Sequence, residues 1–169
     1  MKSRSTETKV LTRAGTGRQR IGMMLAGWLV LIAPLAAAEP VSTGWLGSRA
    51  IGGHDSVAYF EARSRGDHRA LVGEERFKVD WNGADWWFAS AASAERFAAD
   101  PERYRPAYNG FCSNALTLGE GLIDTDGRVW EIFGDRLHLF YAERGRQRWL
   151  NGDWRALQRQ ADAVWESLR

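Results

Sequence analysis

The chain has 169 residues, with 23 Lys/Arg against 21 Asp/Glu, a formal net charge of +2, nine tryptophans and one cysteine. A single thiol excludes an intrachain disulfide framework, so packing has to supply the stability. Residues 1–38 hold six of the basic residues and one of the acidic ones; the 17 and 20 left behind give a net −3, which offers nucleic acid no electrostatic footprint.

The first 38 residues read as a signal peptide. A basic, polar stretch is followed by "IGMMLAGWLVLIAPL", an apolar run of about fifteen residues. Ala36 and Ala38 then supply the small residues before a cut at Glu39. The competing reading is an uncleaved anchor, but the run is shorter than the roughly 18 to 20 residues that span a bilayer. The expectation is a periplasmic or secreted protein with no stable membrane anchor after cleavage near Ala38. The remaining 131 residues suffice for one domain with a core of its own.

Residues 39–53 read as an extended lead-in, and 54–169 as the domain. In "HDSVAYFEARSRG", Asp55 caps a helix that Gly66 stops. Phe77, Val79 and Trp81 alternate with Lys78 and Asp80, Asn82-Gly83 supplies a tight turn, and Asp85 to Ala89 return: a β-hairpin. Ser90 caps a following helix, which Asp100-Pro101 ends with a short turn through Tyr104. A short helix over Ser113–Leu118 is closed by Gly119, and a second hairpin turns at Gly134-Asp135. Trp154, Leu157, Ala161, Val164 and Leu168 recur at helical spacing, predicting a closing amphipathic helix with Trp165 at its edge. Hairpins mixed with helices, without βαβ alternation, predict an α+β fold in a single small domain.

The segments "IGGHDSVAYF", "WNGADWWFASAASAERFAADPERY", "YNGFCSNAL", "GDRLHLFY" and "ADAVWESL" occur in the order seen in exported bacterial YHS-domain proteins, and the chain resembles that family from about Ala50 to Leu168. The resemblance implies a YHS-type hairpin–helix unit. It also implies metal, because the short YHS module is proposed to bind metal ions through two cysteines leading into that helix. Ala89 and Ser93 stand at those two positions, and neither supplies a thiolate. Exported relatives share instead a cysteine loop, here Asn109-Gly110-Phe111-Cys112. Asn109 replaces a glycine there and suits a left-handed backbone.

Cys112 reads either as a small buried hydrophobe or as a thiolate at a helix start. His54 is either a loop imidazole bonded to backbone or a ligand or base oriented by Asp55. His138 alternates with Leu137 and Leu139 and so points away from them, more naturally towards solvent. His54, Cys112 and His138 would together make a nitrogen–nitrogen–sulfur set suited to copper or zinc, with Asp55 behind it. Their separations of 58 and 26 residues carry no short ligand spacing.

The functional expectation is therefore an exported binding or accessory protein, metal- or thiol-linked through the Cys112 loop. Its partner would be a small ligand, a metal ion or a periplasmic protein. One alternative is a small thiol-dependent enzyme using Cys112 with His54 and Asp55; another is a protein-interaction domain without a small-molecule site. Trp81, Trp86, Trp87, Tyr104, Tyr108 and Trp130 are core or pocket lining, and Arg155, Arg159 and Asp162 read as a solvated helix face.

Overall fold

Two antiparallel hairpins carry the helices around them. The computed structural model describes residues 39–44 and 47–168; the expected signal peptide lies outside those residues. In chain order the elements are α1 (Ala58–Ser64), β1 (Glu74–Trp81), β2 (Ala84–Phe88), α2 (Ala91–Ala99), α3 (Pro101–Tyr104), α4 (Ser113–Leu118), β3 (Val129–Phe133), β4 (Arg136–Phe140), α5 (Glu143–Asn151) and α6 (Trp154–Ser167). This is an α+β fold in a single small domain. Among the described residues, no helix is long and apolar enough to cross a membrane.

Local chemistry sets most boundaries. Asn82 takes a left-handed φ of 50° and turns β1 back onto β2, with Val79 opposite Trp86. The Ser90 hydroxyl accepts from the Ser93 N–H and starts α2, and the Asp100 carboxylate accepts from the Arg103 N–H and starts α3. The lead-in is extended only in part, because Ala50–Gly53 form a 3₁₀ turn with Ile51 and Gly52 outside helical angles.

The β3–β4 hairpin lies between two cores. Trp130, Ile132, Leu137 and Leu139 face a core that includes Tyr59, Trp86, Phe88 and Phe97. Phe133 and Phe140 join Tyr108, Phe111, Trp149 and Trp165 in the other. Burial on both sides explains two departures from expectation. His138 is fully buried rather than turned to solvent, because α4, α5 and α6 cover the face opposite Leu137 and Leu139. Trp165 is likewise a core residue rather than the edge of α6.

Candidate functional site

The loops at Ile51–Gly53 and Tyr108–Gly110 interlock through unusual backbone. Ile51, Gly52 and Gly53 all have positive φ, as do Tyr108, Asn109 and Gly110. A β-branched residue at φ 45°, as Ile51 is, holds that conformation only when its surroundings impose it. Here they do: the Ile51 side chain packs directly on the Gly110 backbone, where an added Cβ would collide with Ile51 Cγ2. Ser42 bridges them, its N–H donating to the Asn109 carbonyl (3.0 Å) while its own carbonyl accepts from the Ile51 N–H (2.8 Å). The Asn109 amide is fully used. Its Nδ2 donates to Glu39 Oε2 (3.2 Å) and the Pro40 carbonyl (3.1 Å), and its Oδ1 accepts from Arg105 Nη1 (3.0 Å).

His54 and Asp55 serve the same framework. His54 Nδ1 lies 3.4 Å from the Ile51 carbonyl. Its neighbour Gly127 is so tightly held that a Cβ there would stand 2.8 Å from both His54 Nδ1 and the Tyr59 hydroxyl. Burial lowers the His54 pKa below the ordinary histidine value, against the opposing pull of the Ile51 carbonyl and Asp126. Asp55 is fully buried; Oδ1 accepts from the Val57 and Ala58 N–H groups, and Oδ2 from the Ala89 N–H. This carboxylate ties α1 to the end of β2, and it orients no imidazole.

Cys112 is 4% exposed. Its N–H donates to the Ile123 carbonyl (2.8 Å), and its Sγ accepts from the Tyr141 N–H (3.3 Å). A recess of about 50 Å³ lies over it, bounded by Asn114, Glu120, Ile123, Tyr141 and Arg144 among others. Neither His54 nor His138 lines that recess or bonds the sulfur. His138 is in the α4–α6 core, its Nδ1 3.0 Å from Ser113 Oγ and its ring centroid 4.9 Å from that of Trp149. Burial, aided by the Arg136 charge, pushes its pKa down to about 3, so it is a neutral imidazole at physiological pH.

Among the described residues, no group of three or more His, Cys, Asp or Glu side chains is placed to hold a metal ion. The structure does not bring the expected copper or zinc set together: His54 packs on Gly127, Cys112 accepts from Tyr141, His138 pairs with Ser113, and Asp55 holds backbone. The hairpin–helix positions do not replace it, since Ser93 completes the cap of α2 and Ala89 presents only its N–H to Asp55. These residues do not fit a soft metal.

A site of different character lies between α1, α3 and the β3–β4 turn. There a cleft of about 590 Å³ is lined by Phe60, Pro106 and Ala107 and by four arginines, Arg63, Arg103, Arg105 and Arg136. Arg105 is pinned by Glu102 (2.6 Å) as well as by Asn109. Arg136 Nη1 donates to both oxygens of Asp162 (2.9 and 3.2 Å), which also accepts from the Tyr108 hydroxyl (2.9 Å). Asp162 is therefore an anchor for the cleft and not simply part of a solvated helix face. Arg63 Nη1 donates to the Gly134 carbonyl (2.9 Å), and the Arg103 guanidinium lies over the Tyr104 ring, with no ion pair to a carboxylate among the described residues. The chain matches no family model, no curated protein and no solved structure. The arginines escaped sequence reading because Arg63, the Arg103–Arg105 pair and Arg136 come from three segments distant in sequence.

Proposed function

We propose that this chain is an exported YHS-type domain that acts as a binding or accessory protein, with the arginine-lined cleft as its ligand-bearing surface. The observation that carries this reading is the cleft itself: about 590 Å³, with an apolar wall at Phe60 and Pro106 and guanidiniums held in place from behind. A concave site with a few fixed polar groups on an apolar wall is the usual form of a small-molecule site. The capped hairpin–helix unit β1–β2–α2 supports the resemblance, while the inward bonding of Cys112, His54 and Asp55 turns the reading away from thiol or metal chemistry and from a thiol-dependent enzyme.

A fragment screen read by NMR on the folded domain tests this. Hits should shift resonances of Phe60, Ala107 and Gly134. If fragments gather at the Cys112 recess instead, the cleft is not the site; if none binds anywhere, the protein-interaction alternative takes its place. For export, N-terminal sequencing of periplasmic protein should begin at Glu39, and an intact leader in the membrane fraction would contradict it.

A further inference from the structure

Building on the cleft reading above, we infer that its ligand is a small molecule carrying an oxyanion, a carboxylate or a phosphate, on a planar or apolar body. The argument is a count of donors and acceptors. A guanidinium carries five N–H bonds and no acceptor. Arg136 spends Nη1 on Asp162 beside a side-chain hydrogen bond to Tyr108, and Arg63 spends only Nη1, on the Gly134 carbonyl, so the Nε and Nη2 of Arg63 have no acceptor among the described residues. Arg103 has no carboxylate partner at all among them.

Three carboxylates share the lining, and two of them already accept one hydrogen bond each. Glu102 is bonded to Arg105, and Asp100 accepts from the Arg103 N–H at the start of α3. Asp135, exposed in the β3–β4 turn, is the remaining one. Unspent donors thus exceed free acceptors, and the complement to a planar N–H fork is an oxyanion. The forks are also set in advance: Arg136 is held by an Asp162 that Tyr108 steadies, and Arg63 is held across the cleft by the Gly134 carbonyl. Such anchoring lowers the ordering cost of binding. Phe60, braced edge-on by Tyr104 at 5.7 Å, offers a surface for the body of the ligand.

Titration of the folded domain at low salt with phenyl phosphate, benzoate, inorganic phosphate, benzyl alcohol and benzylamine, followed by NMR, tests the inference. Phenyl phosphate and benzoate should shift Phe60 and Gly134 resonances and bind about tenfold or more tightly than benzyl alcohol. The stronger of the two tells phosphate from carboxylate as the natural group. Arg63→Ala and Arg103→Ala should each weaken the better anion about fivefold or more, and Arg63→Lys, which keeps the charge but loses the fork, should recover only part of that. Phe60→Ala should erase the advantage of phenyl phosphate over inorganic phosphate. If benzyl alcohol or benzylamine binds the cleft as well as the anions do, the oxyanion inference fails and the cleft reading stands. If no probe moves a cleft resonance, both fail. Anion binding that ignores Arg63→Ala and Arg103→Ala is adventitious and overturns the inference.

Discussion

The interlocked loops around Ile51 and Gly110 and the neighbouring arginine cleft use polar side chains in opposite ways. In the loops Asp55 and Asn109 are turned inward: Asp55 satisfies three backbone N–H groups, and Asn109 spends its amide on Arg105, Glu39 and Pro40. In the cleft, Arg63 is held at Nη1 by the Gly134 carbonyl and keeps its other donors for the cleft. Arg105 touches both regions, bonded to Asn109 while lining the cleft. The contrast teaches that the recognisable motifs here specify a demanding backbone, whereas the surface fit for a ligand is assembled from residues with no motif of their own.

The contrast breaks most visibly at Asp55. Asp55→Ala strands three backbone N–H groups, two of them buried, and should cost about 3 to 5 kcal/mol in chemical denaturation. A loss under about 1 kcal/mol would show that the carboxylate is not a framework group.

His138 gives the next largest effect, and it depends on pH. Its folded pKa of about 3 lies below the unfolded value of 6.5, so between those limits the unfolded chain holds a proton that the folded chain does not. The associated stability is complete above pH 6.5 and is lost as pH falls towards 3, with a limiting slope of about 1.4 kcal/mol per pH unit. Arg136 lies on the same strand and Glu131 opposite on β3, and a change at His138 leaves both residues in the sequence. His138→Phe should therefore flatten the acid limb of the stability profile; an unchanged limb would assign it to other groups.

Cys112 should matter less. Cys112→Ala is expected to cost about 1 to 2 kcal/mol through lost contacts, and Cys112→Ser as much or more, because a buried hydroxyl needs a partner. A bulky thiol reagent should react only as the protein unfolds, and rapid labelling of the folded state would reverse this assignment. At the small end, Arg63→Ala should change stability by no more than about 0.5 kcal/mol, since it removes one exposed hydrogen bond.

Much of the fold was legible because its boundaries have local causes. Asn82-Gly83, Ser90, Asp100-Pro101, Gly119 and Gly134-Asp135 each act within a few residues and set both hairpins, α2, α3 and α4, while the apolar spacing from Trp154 to Leu168 gives α6. α5 was not legible: "ERGRQRWLN" buries only Gly145 and Trp149, which gives no apolar stripe. His138 and Trp165 were misplaced because their burial comes from helices distant in sequence. The candidate site fared worst for the same reason. Arg63, Arg103, Arg105 and Arg136 meet only after α1, α3 and β4 have packed, and the prominent Cys112, His54 and Asp55 drew attention to what proved to be framework.

The most direct test crosses the two regions in one experiment, measuring unfolding free energy and phenyl phosphate affinity for Cys112→Ala and Arg63→Ala. The effects should separate: Cys112→Ala loses stability and keeps wild-type affinity, while Arg63→Ala keeps stability and loses affinity about fivefold or more. A folded Cys112→Ala protein that no longer binds, beside an Arg63→Ala protein that binds normally, would contradict the account and return the site to the cysteine loop.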